Sequence, residues 1–214
     1  MVYFIVRVQY YAMSIRQQLM ATHFRYSRIA NTILPMLKPQ DIVVVLKIVA
    51  LDGQLWSYNQ LALGLGMSTS ESHAAVKRAI AAGLLNDGGQ SVQPNRNAIA
   101  ELLEHGVRYV FFAQRGELTR GIPTAHAAPP LFKHILQNNE PPPVWPDAEG
   151  TVRGYALAPL YKSVPYAAMR DPKLYALLAL VDAVRDGRAR ERNLAIKEIR
   201  KRLEVESKGR SHAQ

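Results

Sequence analysis

The sequence predicts an α+β fold that is mainly helical, and three observations support this prediction. First, 48% of the 214 residues are hydrophobic and 21% are charged, which is the composition of a globular protein. Second, apolar residues recur at helical spacing in several long segments. Third, two short segments, residues 107–112 and 151–157, carry the β-branched and aromatic residues typical of strands. The length suits one large domain or two small ones.

The composition excludes several classes of protein. The chain has no cysteine, so it contains no disulfide, thiolate metal site or cysteine nucleophile. This composition fits a reducing compartment, and we predict a cytoplasmic protein. No apolar run approaches the roughly 18 residues of a membrane span, so no membrane span is expected.

The net charge of +10 is concentrated at the two ends of the chain. Residues 1–35 carry +4, residues 36–93 are neutral, residues 94–150 carry −1 and residues 151–214 carry +7. Basic ends suit an extended polyanion, with nucleic acid as the first expectation and an anionic membrane surface as the second. Solvated basic tails are the alternative interpretation.

Residues 1–35 differ from the rest of the chain. The apolar run at residues 2–6 ends at Arg7, and it is shorter than the roughly 7–15 apolar residues of a signal peptide. Met36 stands directly before the first clearly patterned helix, so it is a candidate alternative start. We therefore predict that residues 1–35 form an N-terminal extension outside the fold.

The first two predicted helices lie within residues 36–65. Pro39 suits the first turn of a helix, and the helical pattern continues until Gly53. Ser57 is placed to cap a second helix over residues 58–65. The apolar positions on the inward faces are Ile42, Val45, Leu46 and Val49 in the first helix and Leu61, Ala62 and Leu65 in the second.

A capping box introduces the third predicted helix. Ser68 and Glu71 have the S-x-x-E spacing, in which the serine hydroxyl accepts from an early amide and the glutamate reaches back. The helix runs to about Ala82 and ends at Gly83, a residue suited to a left-handed C-terminal cap. A Leu-Leu pair then begins a strand. The positions predicted to face the core are Ser72, Ala75, Val76 and Ala79.

This order of helix, short helix, glycine turn, capped helix and strand is that of a winged helix-turn-helix domain. The segments LALGLGMS at residues 61–68, VKR at residues 76–78 and GLL at residues 83–85 resemble the MarR-like transcriptional regulators. The resemblance is confined to residues 37–93 and implies a DNA-binding domain. One feature departs from the family, because the wing segment NDGGQSV has no basic residue, and Arg96 is the nearest substitute for a minor-groove contact.

The third helix carries most of the predicted DNA contacts. A recognition helix enters the major groove by its N-terminal half, where small polar side chains meet phosphates and base edges. His73 suits a guanine or a phosphate, and the cations Lys77 and Arg78 suit phosphates. The predicted DNA-binding residues are Ser68, Thr69, Ser70, His73, Lys77, Arg78 and Arg96, and Tyr58 and Gln60 at the start of the second helix are further candidates for contacts with the DNA backbone.

Residues 94–165 form a predicted mixed region of helix and strand. Asn95 caps a helix for which Gly106 is the expected stop. The first predicted strand comes next, followed by an irregular stretch over residues 116–131. Residues 140–146, Glu-Pro-Pro-Pro-Val-Trp-Pro, are predicted to be an extended linker.

Residues 166–206 form a predicted C-terminal helical region, followed by a tail at residues 207–214. An Asp-Pro pair at residue 171 opens one helix, which Gly187 ends. The apolar side of this helix carries Leu174, Leu177, Leu178, Val181 and Val184.

The last predicted helix, residues 189–204, is amphipathic and basic. Its apolar positions are Leu194, Ile196, Ile199 and Leu203, and its cations are Arg190, Arg192, Lys197, Arg200, Lys201 and Arg202. Three interpretations are open: a dimerisation arm, a second DNA contact, and a membrane-surface helix. We favour dimerisation, because winged-helix regulators of this kind bind paired half-sites as dimers.

No enzyme is predicted from the sequence. The histidines have neither H-x-x-x-H nor H-E-x-x-H spacing, and the G-x-S-x-G, P-loop and G-x-G-x-x-G motifs are absent. We therefore predict no catalytic residue, no metal and no cofactor. The six histidines are His23, His73, His105, His126, His134 and His212.

The predicted function is a sequence-specific transcriptional regulator, acting as a repressor, that binds double-stranded DNA as a homodimer. One alternative is an antitoxin-type protein that represses its own operon and masks a partner toxin through its C-terminal half. Another is a winged helix that serves as a protein–protein interaction module. The uncharged wing and the neutral segment at residues 36–93 favour this last alternative.

Overall fold

The computed structural model describes residues 36–89, 91–135 and 140–209. The predicted N-terminal extension, residues 1–35, lies outside the described residues, as do residues 210–214 of the predicted tail. The described chain is α+β and mainly helical, as predicted. Within these three ranges, no helix is long and apolar enough to cross a membrane.

The bounds of the helices and strands are as follows. The helices are α1 (Pro39–Ala50), α2 (Tyr58–Leu65), α3 (Thr69–Ala81), α4 (Arg96–Glu101), α5 (Val107–Val110), α6 (Val164–Arg170), α7 (Pro172–Asp186) and α8 (Ala189–Gly209). The strands are β1 (Leu85–Asp87), β2 (Val92–Pro94), β3 (Arg115–Pro123), β4 (Pro143–Pro146) and β5 (Val152–Leu157). A π-helical turn (Leu102–Gly106) joins α4 to α5, and a 3-10 turn (Ala125–Ala127) follows β3.

Capping boxes set the starts of α2 and α3; the box at Ser68 was predicted, whereas at Ser57 only the serine cap was predicted. The Ser57 hydroxyl accepts the N–H of Gln60 at 3.3 Å, and the Gln60 side-chain oxygen accepts the N–H of Ser57 at 2.9 Å. The Ser68 hydroxyl accepts the N–H of Glu71 at 3.1 Å, and the Glu71 carboxylate accepts the N–H of Ser68 at 3.0 Å. The two helices meet at a turn where Gly66 has a left-handed φ of 61°.

A short antiparallel hairpin follows α3. Strands β1 and β2 pair with Leu85 opposite Pro94. The side-chain amide of Asn95 donates to the carbonyl of Gly83 at 3.0 Å, and its side-chain oxygen caps α4 by accepting the N–H of Ala98. The base of the hairpin is thereby tied both to the end of α3 and to the start of α4.

Helix α1 is buried on all sides because both α3 and α7 pack against it. The four predicted apolar positions are buried, and so are Val43, Val44 and Ile48. A single hydrophobic core runs from α1 through α3 and α7 to α8. The predicted regions at residues 36–93 and 166–206 therefore share one core.

The prediction of a strand over residues 107–112 is wrong. Gly106 does not stop α4, because the π-helical turn carries the chain directly into α5. Val107 is fully buried, and a short apolar run of this kind packs equally well as helix or strand. Beyond the last turn, the carbonyl of Phe111 accepts a hydrogen bond from the buried guanidinium of Arg185 at 2.7 Å.

Two segments that were not predicted to be strands, the irregular stretch and the extended linker, form strands. Strand β3 lies within residues 116–131 apart from its first residue, and β4 lies within residues 140–146. Strand β3 pairs antiparallel with both β4 and β5, whereas β4 and β5 pair parallel. The prolines of β4 lack an N–H, but the Pro143 carbonyl accepts the N–H of Thr124 at 2.9 Å. Strand β5 matches the prediction for residues 151–157.

Helix α7, present where predicted, carries a buried polar network. The Asp182 carboxylate accepts hydrogen bonds from Trp145 Nε1 at 2.6 Å, from the Thr124 hydroxyl at 2.8 Å and from Arg185 at 2.5 Å. Burial raises the pKa of Asp182, and these three donors oppose that effect by stabilising the charged form. Because Trp145 is buried and bonded to α7, residues 143–145 of the segment predicted to be a linker belong to the core.

Helix α8 begins at Ala189, as predicted, and much of its apolar face is covered within the chain. Ala195, Ile199 and Leu203 are buried where α8 packs on α7 and α4. A dimer seam requires apolar side chains that are exposed in the single chain. Leu194 and Ile196, the other two predicted apolar positions, are half-buried, so the dimerisation arm stays a prediction.

Candidate nucleic-acid interface

Helix α3 has one buried face and one exposed face. Its four predicted core residues are buried, including Ser72 and Ala75. Ser70, His73 and Lys77 lie on the exposed face. The free N–H groups and the positive end of the helix dipole lie at the same end as Ser70, which suits contact with phosphates.

Tyr58 supports His73 from the start of α2. The centroids of the two rings are 4.8 Å apart at an interplanar angle of 67°. On the other side, Trp56 meets Tyr58 at 5.4 Å and 89°. Edge-to-face contacts of this kind contribute about 0.5–1.5 kcal/mol beyond burial, so the rings hold one another in place. Tyr58, predicted as a DNA contact, lies where it orients the histidine.

Two other predicted contacts are engaged within the chain. The Ser68 hydroxyl donates to the Glu71 carboxylate at 2.8 Å as part of the capping box. The Thr69 hydroxyl donates to the Asn59 side-chain oxygen at 3.0 Å, which links α3 to α2. Ser68 and Thr69 thus fix the start of α3, and the polar surface of the helix is carried by the residues that follow.

The prediction that Arg78 contacts phosphate is corrected by its position. The Arg78 guanidinium grips the Asp41 carboxylate of α1 through two hydrogen bonds, of 2.8 Å and 2.6 Å. The Asp41 side chain is fully buried, and it also accepts the N–H of Lys38 at 2.8 Å. Removal of the arginine would leave a buried carboxylate without its countercharge, so Arg78 is a structural residue.

The Arg96 side chain also points away from the wing, where a minor-groove contact was predicted. It is the first residue of α4, and its guanidinium approaches the carbonyl of Leu203 in α8 at 3.5 Å. The side chain therefore points from the base of the hairpin toward α8. It does not replace the missing cation of the wing.

A groove of about 530 Å³ separates α3 from the hairpin. Its α3 wall includes His73 and Lys77, and its hairpin wall includes Asp87. The Asp87 carboxylate accepts the N–H of Gly89 at 3.0 Å, which leaves a negative charge on the hairpin. In the described part of the chain, Lys77 pairs with no carboxylate. The positive side of the groove is thus α3, and the hairpin is the side that would repel phosphate.

The loop before α6 brings two residues that the sequence did not single out to the end of α2 and the start of α3. The Tyr161 hydroxyl donates to the Glu71 carboxylate at 2.8 Å, and the Ser163 hydroxyl donates to the carbonyl of Leu65 at 2.6 Å. Lys162 lies between them, is exposed, and is close enough for its charge to act on Glu71. Only the contact across 90 residues reveals this cation, since no local pattern surrounds it.

The described residues contain no group of three or more histidines, aspartates and glutamates that would hold a metal ion. Comparison with protein families, with characterised proteins and with solved structures found no match to this chain.

Proposed function

We propose that the chain is a sequence-specific DNA-binding protein that regulates transcription, with residues 36–93 as its winged helix-turn-helix domain. The observation that carries this proposal is the exposed row Ser70, His73 and Lys77 on a capped helix. The helix is held from behind by α1 and α2 and followed by a hairpin. This is the geometry with which a recognition helix enters the major groove.

In the proposed complex, each residue of the row has a separate role. His73, held by Tyr58, donates to a guanine edge or to a phosphate, and so carries the base discrimination. Lys77 and Lys162 neutralise phosphates on either side of the groove contact. Because phosphate neutralisation releases counterions, affinity falls steeply as the salt concentration rises.

Selection from a pool of duplexes with a random central segment tests the proposal. The wild-type chain is expected to enrich a defined sequence motif. The His73→Ala/Lys77→Ala variant is expected to bind that motif about 30- to 25,000-fold more weakly, from two contacts of about 1–3 kcal/mol each. The matched control is His105→Ala/Lys133→Ala, which removes the same two residue types from exposed positions elsewhere. A pool without enrichment, or an equal loss in the control, contradicts the proposal.

A protein-binding role for the C-terminal half is a second candidate, in line with an antitoxin-type autoregulator. It is favoured by three exposed apolar side chains at the end of α5: Tyr109, Val110 and Phe112, which are 73%, 58% and 63% exposed. Apolar residues clustered in this way are typical of interaction surfaces. Co-expression with the product of the adjacent gene is expected to give a complex that Tyr109→Ser/Phe112→Ser abolishes. A complex that is unaffected by this change argues against the role.

A further inference from the structure

The outward face of α8 carries a row of cations. Arg190, Lys197 and Lys201 are exposed, and they lie seven and four residues apart along the helix. At about 100° per residue they fall within an arc of about 40°, and they span roughly 16 Å along the axis. The buried residues Ala195, Ile199 and Leu203 lie on the opposite side of the helix. We call Arg190, Lys197 and Lys201 the basic stripe.

The carboxylates next to the basic stripe are occupied by other groups. Glu198 pairs with Arg202, and Glu104 of the π-helical turn pairs with Arg200 at 2.5 Å. Glu191 accepts the N–H of Arg188 at 3.0 Å. Among the described residues, the three cations of the stripe have no carboxylate partner. Lys201 is close enough for its charge to act on Glu198, but within the described ranges none of the three cations is held in an ion pair, and His134 lies beside Arg190 and Lys197.

The burial pattern favours one of the three interpretations that an amphipathic basic helix allows. A dimer seam and a membrane-surface helix both require an apolar face that is free to leave water. In α8 most of that face, namely Ala195, Ile199 and Leu203, packs on α7 and α4, and Leu194 and Ile196 are half-buried. What is left exposed is positive charge, which attracts a polyanion without any apolar contact.

We propose that the basic stripe of α8 is a nucleic-acid backbone contact, separate from α3, that binds duplexes without regard to their sequence. It carries the affinity that the neutral segment at residues 36–93 does not provide. This inference stands whether or not α3 discriminates between sequences.

The salt dependence of binding to a scrambled 25-base-pair duplex tests the inference. The full chain is compared with Arg190→Ala/Lys197→Ala/Lys201→Ala and with the control Arg108→Ala/Arg153→Ala/Arg170→Ala. The control removes the same net charge from α5, β5 and α6. Loss of three phosphate contacts is expected to reduce the slope of log K against log salt by about 2.7, at roughly 0.9 per contact. The control is expected to keep the wild-type slope.

Three outcomes overturn the inference. One is equal slopes for the stripe variant and the control. Another is a wild-type chain that does not bind the scrambled duplex at low salt. The third is tighter, stripe-dependent binding to vesicles of phosphatidylserine and phosphatidylcholine than to the duplex. If the proposed function fails, the result is different. The chain then binds every duplex with equal affinity, and the salt slope still falls when the stripe is removed.

Discussion

At the scale of single residues, Lys77 and Arg78 are neighbours in α3 but have different surroundings. Lys77 is exposed beside the groove, whereas Arg78 turns inward to the buried Asp41. One helical step of about 100° separates a charge available to a ligand from a charge held by the fold. The sequence motif VKR does not distinguish them, because the position of α1 decides which cation finds a carboxylate.

Alanine at Arg78 is expected to lower stability, whereas alanine at Lys77 is expected to weaken DNA binding. Arg78→Ala leaves Asp41 buried and unpaired, so it is expected to lower the free energy of unfolding by about 3–5 kcal/mol. Lys77→Ala is expected to change that free energy by no more than about 0.5 kcal/mol and to weaken DNA binding. Urea denaturation of both variants measures the difference. Equal stability of the two variants would contradict the structural role of Arg78.

The carboxyl group of Glu71 is expected to titrate well below its ordinary range. Hydrogen bonds from the Ser68 N–H and hydroxyl, and then from Tyr161, lower its pKa from 4.5 to about 2. The stabilisation that these bonds give to α3 is therefore complete above about pH 4.5 and is lost as the pH falls toward 2. Carbon-13 NMR of the side-chain carboxyl follows the titration. Tyr161→Phe is expected to raise the midpoint, and a wild-type midpoint near 4.5 would disprove these contacts.

At the scale of elements, the turn between α2 and α3 decides where α3, the proposed recognition helix, lies. Gly66 has a left-handed φ of 61°. A Cβ atom at this position would lie 3.0 Å from Cδ1 of Tyr166 on α6. The turn is therefore fixed both by its backbone conformation and by its contact with the C-terminal half of the chain.

Alanine substitution at Gly66 and at Gly83 separates the effect of backbone conformation from the effect of the Tyr166 contact. Gly83, after α3, has a similar φ of 73° but no atom within 4 Å of the position of a Cβ. Gly83→Ala is expected to cost about 1–2 kcal/mol from backbone strain alone. Gly66→Ala is expected to cost more than Gly83→Ala, because Tyr166 must also move, and to weaken DNA binding. Thermal unfolding and DNA titration check both effects, and equal losses in the two variants would argue against the Tyr166 contact.

Elements whose signal is local were predictable from the sequence. The capping boxes at Ser57 and Ser68 place their donors and acceptors within three residues, so α2 and α3 begin where expected. Strand β4 was missed because its pairing partners and the Asp182 bond to Trp145 lie far along the chain. A run of three prolines is locally typical of a linker, and only these distant contacts make the residues from Pro143 to Pro146 a strand.

The candidate site likewise contains residues that local sequence patterns predict and residues whose role depends on distant parts of the chain. The exposed face of α3, with Ser70 and His73, follows from helical spacing and was predicted. The roles of Arg78 and Lys162 depend on elements elsewhere in the chain, namely α1 and the loop before α6. Residues whose role depends on such packing were misassigned or overlooked.

At the scale of the whole molecule, the helices of the proposed DNA-binding domain and the C-terminal helices share one core. Helix α1 packs on both α3 and α7, and the Asp182 network fastens β4 to α7. A core shared in this way favours cooperative unfolding of residues 37–209 as one unit.

The two tryptophans provide a direct test of this cooperativity. Trp56 reports on the region beside α3, and Trp145 reports on the network at α7. In Trp145→Phe, the fluorescence of Trp56 is expected to follow the same urea transition as the circular dichroism of the helices. The same agreement is expected for Trp145 fluorescence in Trp56→Phe. Separate midpoints for fluorescence and circular dichroism in either variant would indicate two independently folding domains.

The central claim, that α3 occupies the major groove, is tested most directly by dimethyl sulfate footprinting on the selected duplex. The reagent methylates guanine N7 in the major groove and adenine N3 in the minor groove. The wild-type chain is expected to protect guanine N7 within the enriched motif, and His73→Ala is expected to lose that protection. Protection confined to adenine N3, or guanine protection that survives both His73→Ala and Lys77→Ala, would contradict the account.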